Sequence, residues 1–245
     1  MTTNYDHIAE EYQRAKLQPW RTYIERYTLL NLIGNVSGRS AIDLACGEGF
    51  YTRLLRLHGA SPVTGVDLSP GMIELAQRQE LAQPLGINYV VQDCRNLQLS
   101  EPYDIAVAGY LLNYARNRDE LSQMCQSIAG SLKPGGRFVT VNNRPGFDFR
   151  NAPSYRQYGF ETYHDGAPVE GMPITWKIVL DEGPIFIENY FIDVAVHERA
   201  FREAGFREVH WHPPLLAAAA IDELGADYWR PFMEFPPVAF IECIR

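Results

Sequence analysis

The chain has 245 residues, with 22 Lys and Arg against 30 Asp and Glu, a formal charge of −8, and 46% apolar residues. That balance supports one large core, with or without an insertion, and excludes a disordered chain. A net negative surface without any Lys/Arg-rich run argues against nucleic-acid and membrane-surface partners.

The first residues, Met1 to Asp6, show neither a basic head nor an apolar signal core, so the expected location is the cytosol. Tyr5 to Gly34 reads as one or two helices, with Tyr23, Tyr27, Leu30 and Ile33 at helical spacing. From Ser40 to Asn142 short aliphatic runs alternate with amphipathic stretches, the pattern of βαβ units around a parallel sheet. The expected strands are Ser40 to Leu44, Val63 to Val66, Ile87 to Val91, Tyr103 to Val107 and Arg137 to Asn142. Between them, Ser69 is placed to cap one helix and Asn117, with Glu120, another. Gly135-Gly136 is expected to end that second helix.

Arg144 to Pro173, rich in Tyr, Phe, Gly and Pro, has no clear period and reads as an irregular insertion. Ile174 to Leu180 and Ile185 to Ile192 flank the turn Asp181-Glu182-Gly183-Pro184 and predict a β-hairpin. A helix from about Val196 to Ala204 and strands at Glu208 to His212 and Val238 to Ile244 complete the chain. The longest apolar run, Leu215 to Ile221, is far too short to span a bilayer. Four cysteines without CxxC pairing predict reduced, mostly buried thiols. His210 and His212 share a strand face about Trp211, but no third ligand accompanies them, so no metal is expected.

The most informative segment is Ala41-Ile42-Asp43-Leu44-Ala45-Cys46-Gly47-Glu48-Gly49, a strand running into a small-residue turn and then a helix near Phe50. Such a turn lets backbone N–H groups and a helix N-terminus approach a polar ligand closely. The second strand ends Gly65-Val66-Asp67, placing a carboxylate 20 residues after Gly47. That spacing suits a carboxylate accepting both hydroxyls of a ribose. Thr52 occupies the third position of a dinucleotide GxGxxG fingerprint, which weakens a nicotinamide oxidoreductase reading, and no GxxxxGK[ST] is present.

In order along the chain, Asp43 to Gly49, Val66-Asp67-Leu68-Ser69 with Met72, Gln92-Asp93-Cys94, Tyr103 to Val107 and Leu132-Lys133-Pro134-Gly135-Gly136 resemble the five motifs of class I S-adenosylmethionine-dependent methyltransferases. The resemblance implies an α/β, Rossmann-like sheet, mostly parallel with an antiparallel last strand. It also implies an N-terminal helical lid over residues 1–38 and an inserted substrate cap over 143–192 within a single methyltransferase domain, 1–245. It implies S-adenosylmethionine as cofactor and S-adenosylhomocysteine as product. Carried over by position, Ala45, Gly47 and Gly49 would line the methionine moiety with Asp43 nearby, and Asp67 would bind the ribose. Leu68 and Met72 would sandwich the adenine, whose edge would meet Asp93 and the Cys94 backbone. Tyr110 and Leu111 would lie beneath the reactive methyl, and Tyr12 would fold over the methionine end.

Methyl transfer needs alignment more than a nucleophilic side chain. Where the acceptor carries a proton a base or a hydrogen-bond acceptor can help, and His7 and Asn113 are candidates, with Asn142 and Asn143 as further polar groups. Aromatic residues of the N-terminal segment, the insertion and the hairpin suggest a substrate surface for a flat, uncharged heteroaromatic or polyphenol ring. Trp20, Asn113, Tyr155, Trp176 and Tyr190 are its expected residues. The N-terminal run Tyr5 to Tyr12, the segment Ala108 to Ala115 and the cap from Phe147 to Asn189 resemble methyltransferases of azapteridine ring nitrogens, which implies N-methylation, in one or two turnovers. The alternatives are O- or N-methylation of another small metabolite, including an amine served by Glu161, Asp165 or Glu188, and a non-catalytic cofactor-sensing module.

Overall fold

A computed structural model describes residues 13–245. Tyr12 and His7 lie outside the described residues. The chain enters through a π-helical turn, Arg21–Arg26, and helix α1, Tyr27–Ile33. Then follow β1 (Ala41–Leu44), α2 (Phe50–Leu57), β2 (Val63–Asp67), α3 (Pro70–Ala82), β3 (Asn88–Val91) and β4 (Tyr103–Gly109). Next come α4 (Arg118–Gly130), β5 (Leu132–Asn143), β6 (Phe160–Tyr163), β7 (Pro173–Ile178) and β8 (Ile185–Tyr190). The last elements are α5 (Val194–Glu203), β9 (Glu208–His212), α6 (Ala218–Leu224), α7 (Ala226–Glu234) and β10 (Val238–Ile244).

Seven strands form one sheet in the order β3-β2-β1-β4-β5-β10-β9. β1 through β5 pair in parallel, and β10 runs antiparallel to both β5 and β9. This is the Rossmann-like class I arrangement the motifs imply. Alternation along β4 explains its two-sided core: Ile105 and Val107 join one buried cluster with Leu29, Ile33 and Leu55, while Ala106 and Ala108 join another with Leu121, Ile128 and Phe201. Helices therefore cover both faces. The strand order reverses at β1 and β4, and ligands of such sheets bind outside the strand C-termini at that point.

The cap signals in the sequence appear as bonds. Ser69 Oγ accepts from Met72 N at 3.1 Å, and Asn117 Oδ1 accepts from Asp119 N and Glu120 N at 3.1 and 3.0 Å. Two expectations change. Helix α4 ends at Gly130, not at Gly135-Gly136, because Leu132 already pairs with Tyr103 in the sheet. Gly136 lies inside β5, where an added Cβ would stand 2.8 Å from the Lys133 carbonyl. The hairpin β7–β8 forms with Ile178 opposite Ile185, and β6 adds a third antiparallel strand. Among the described residues no helix is long and apolar enough to cross a membrane.

Candidate functional site

At the C-terminal end of β1 the backbone turns through three left-handed residues, Ala45 (φ 54°), Gly47 (φ 58°) and Gly49 (φ 88°). Ala45 adopts this region at a cost of about 1–2 kcal/mol that glycine would avoid. The carboxylate closing β2 ties the turn down: Asp67 Oδ2 accepts from Gly47 N and Oδ1 from Ser69 N, each at 2.8 Å. A carboxylate oxygen carries two acceptor sites, so each retains one for a ligand hydroxyl. Burial raises the Asp67 carboxyl, and these two N–H groups oppose the rise.

Asp67 lies in the wall of a cavity of about 320 Å³, within the range of small-molecule sites. Leu68 and Met72 line it beside Asp67. Leu68 is 63% exposed, an apolar side chain held at the cavity mouth, whereas Met72 is buried. Asp93 and Cys94 follow β3 and complete this end. Asp93 already receives the Arg95 guanidinium through both oxygens, and this hydrogen-bonded pair holds its carboxyl below the usual range. Burial pushes the Cys46 and Cys94 thiols up, Cys94 to about 12, so both are small neutral groups at neutral pH.

The other end of the cavity is formed by the residues after β4. Tyr110 and Leu111 line it, and Tyr110 has φ 65°, outside the ordinary range for a side chain of its size. The Tyr110 phenol donates to Glu25 Oε2 at 2.5 Å, and Tyr51 donates to Glu25 Oε1 at 2.7 Å. The same carboxylate receives Arg21 Nη1 at 3.0 Å. Arg21 and Glu25 are both buried, at 6% and 2% exposure. Burial, then the nearby Glu25 charge, pushes the Tyr51 phenol well up, so it stays a donor. A buried ion pair thus clamps the strained Tyr110 to the N-terminal helix. Lys16 also lines the cavity, and its Nζ lies 3.0 Å from Glu48 Oε2.

Asp43 is buried beneath this end and lines a separate void of about 10 Å³ with Lys16, Arg21 and Glu25. Burial raises its carboxyl to about 7, against the Thr52 hydrogen bond and the Lys16 charge. A carboxyl raised on folding keeps a proton that the unfolded chain has released. Its contribution to stability is therefore complete below pH 4 or so and disappears as pH rises through about 7. Melting temperature is expected to fall between pH 5 and pH 7 through this group, and Asp43→Asn to flatten that slope. An unchanged slope in the variant would assign the titration to another group.

Of the expected cofactor residues among the described ones, Ala45, Gly47, Asp67, Leu68, Met72, Asp93, Cys94, Tyr110 and Leu111 meet in one cavity. Gly49 does not line it; an added Cβ there would stand 2.4 Å from the Tyr89 hydroxyl, so this glycine serves close packing. On the substrate side, Trp20 and Trp176 line an adjoining cleft of about 20 Å³. Tyr155 does not: it is buried, stacks on Phe160 with centroids 5.1 Å apart, and donates to the Phe235 carbonyl at 2.6 Å. Asn113 and Tyr190 line a different void of about 10 Å³ that also includes His197. Both Asn113 amide atoms lack a partner among the described residues, and burial holds His197 neutral with its pKa down to about 4. Glu161 pairs with Lys177 at 3.1 Å, and Glu188 accepts from Tyr190, so neither stands in the walls of the cleft.

Residues 41–136, from β1 into β5, match the family model of methyltransferase domains. Over 123 residues the chain is 33% identical to the ubiquinone biosynthesis O-methyltransferase of Coxiella burnetii, covering 49% of this chain and 48% of that protein. The chain thus spans about half the length of the curated relatives it first matches. Over 184 residues it is 29% identical to the N-demethylindolmycin N-methyltransferase of Streptomyces griseus, covering 71% of this chain and 73% of that one. A solved S-adenosylmethionine-dependent methyltransferase from Mesorhizobium loti superposes with a TM-score of 0.65 at 23% identity, over 90% of this chain and 97% of that one, and shares the fold. Residues 41–136 thus match a methyltransferase-domain model within a Rossmann-like sheet of the methyltransferase fold, and the cavity lies at the strand C-termini of that same segment.

Proposed function

We propose that this protein is an S-adenosylmethionine-dependent N-methyltransferase of a flat, uncharged heteroaromatic. The substrate we infer is an azapteridine of the didemethyltoxoflavin type, methylated on ring nitrogens in one or two successive turnovers to give toxoflavin. The observation that carries this reading is the cleft walled by Trp20 and Trp176, which meets the cofactor cavity at Tyr110 and Tyr114. An aromatic slot beside the methyl donor suits a planar ring, and Arg21, the cation among the described residues that line it, is compensated by Glu25. The relation to the Streptomyces griseus N-methyltransferase supports nitrogen as acceptor.

In this reading S-adenosylmethionine supplies an electrophilic methyl on a positively charged sulfur. Asp67 accepts the two ribose hydroxyls through the acceptor sites that Gly47 and Ser69 leave open. Leu68 and Met72 cover the adenine faces, and Asp93 and the Cys94 backbone meet its edge. Ala45 and Gly47 receive the methionine chain, with Asp43 beneath its amino group and Lys16 toward its carboxylate. Tyr110 and Leu111 align methyl and acceptor for in-line displacement, and geometric alignment is worth up to about 7–11 kcal/mol. Within this reading the described part of the N-terminal segment, residues 13–38, serves as lid and 143–192 as substrate cap. Asn113 lines a separate void, so the acceptor proton leaves to water, to a base of the substrate itself or to His7, which lies outside the described residues.

The relation to an O-methyltransferase over the cofactor-binding half favours a second reading, methylation of a hydroxyl on another small ring. Incubation with S-[13C-methyl]adenosylmethionine and a panel of N-heterocycles and phenols, followed by carbon NMR, separates the two. We expect the label as an N-methyl resonance. Label found only on oxygen would replace the nitrogen reading with the second one.

A further inference from the structure

Asn143 and Trp176, in the walls of the cleft beside the cofactor cavity, each carry a buried polar atom with no hydrogen-bond partner among the described residues, one an acceptor and one a donor. Asn143 closes β5, and Trp176 stands on β7 of the inserted sheet. Both are 5% exposed, and both line the cleft together with Ile178, Ile187 and Asn189. The orientation of Asn143 is fixed by a chain of amides. Asn189 Nδ2 donates to the Glu188 carbonyl at 3.0 Å, which turns Asn189 Oδ1 toward Asn143. Asn143 Nδ2 donates to that oxygen at 2.8 Å, leaving Asn143 Oδ1 as an acceptor with no partner among the described residues. Trp176 Nε1 is a donor in the same condition, while the indole ring itself is held by stacking on Phe160 with centroids 4.9 Å apart.

A buried polar atom left unpaired costs about 1–3 kcal/mol, so an acceptor and a donor in one apolar cleft define what would fit there. We propose that Asn143 Oδ1 and Trp176 Nε1 are specificity-determining atoms that recognise a lactam edge of the acceptor ring. The ring N–H donates to Asn143, and the adjacent carbonyl oxygen accepts from Trp176. A charged acceptor is disfavoured because the charge in the wall, Arg21, is already neutralised by its ion pair with Glu25. At about 20 Å³ the cleft holds no more than a water molecule, so its walls part to admit a ring. This inference rests on the heterocycle methyltransferase reading and adds to it the edge by which the ring is chosen.

The test is calorimetry on the full chain saturated with S-adenosylhomocysteine, with quinazoline-2,4-dione and quinazoline as paired probes that differ in the lactam edge. We expect the dione to bind at least tenfold more tightly to the wild type. Asn143→Leu and Trp176→Phe should each weaken the dione about tenfold, leave quinazoline unchanged and leave S-adenosylhomocysteine affinity intact. Equal affinities for the two rings in the wild type, or equal losses for both in the variants, would overturn the edge recognition alone and leave these atoms to a buried water. A wild type that binds neither ring yet methylates an amine or a phenol would overturn both the inference and the reading beneath it.

Discussion

Glu25→Leu is expected to lower stability by about 3–5 kcal/mol, the usual cost of leaving one member of a buried ion pair unpaired. Three groups converge on this carboxylate: Arg21 Nη1, the Tyr51 hydroxyl and the Tyr110 hydroxyl. Its removal leaves a guanidinium at 6% exposure without its partner charge and two phenols without their acceptor. For a chain of this length the loss corresponds to a drop of roughly 6–20 °C in melting temperature. Glu25→Gln keeps an acceptor oxygen and should fall between the wild type and Glu25→Leu. The effect should reach the site as well, since Tyr110 forms part of both cavity walls and its ring is anchored on this carboxylate. A Glu25→Leu variant that melts within 2 °C or so of the wild type would show that the clamp contributes nothing net.

The cofactor half of the site was legible in the sequence because its determinants are local. A strand, a turn of small residues and a carboxylate one βαβ unit later are written at fixed spacing, and the 20-residue separation of Gly47 and Asp67 closes as a 2.8 Å hydrogen bond. The parallel pairing of β1 to β5 follows from the same alternation, while the antiparallel last strand was implied by the resemblance to methyltransferases. Lys16 and Glu25 escaped the reading because their partners are distant along the chain, Glu48 at 32 residues and Tyr110 at 85, while Arg21, four residues before Glu25, reads as an ordinary helical i,i+4 pair. Nothing in a helical stretch distinguishes such residues from a solvated face.

On the substrate side, composition identified an aromatic region but not which rings face a ligand. Tyr155, Tyr158 and Phe160 are consumed by packing against Phe232, on a helix between Ala226 and Glu234 that contains Pro231. A proline within a run and the uniform apolar stretch before it conceal α6 and α7 from any reading of period. Trp20 and Trp176 remain at the cleft because they sit at the edge of that cluster, in contact with Phe160. Asn143 was named only among several polar groups; its orientation depends on Asn189, 46 residues away.

The central claim is that the cavity between the ends of β1, β2 and β4 holds S-adenosylmethionine through its ribose. Each hydrogen bond from a hydroxyl to a charged acceptor contributes about 1.5–3 kcal/mol, so losing both removes roughly 3–6 kcal/mol of binding. Asp67→Ala also releases the Gly47 amide that the carboxylate holds at 2.8 Å, loosening the turn itself. Titration calorimetry of S-adenosylmethionine into the wild type and Asp67→Ala is the direct measurement, with circular dichroism to establish that both are folded. One bound cofactor per chain in the wild type and at least a hundredfold weaker binding in the folded variant is the expected result; no binding to the wild type, or equal binding to both, would contradict it.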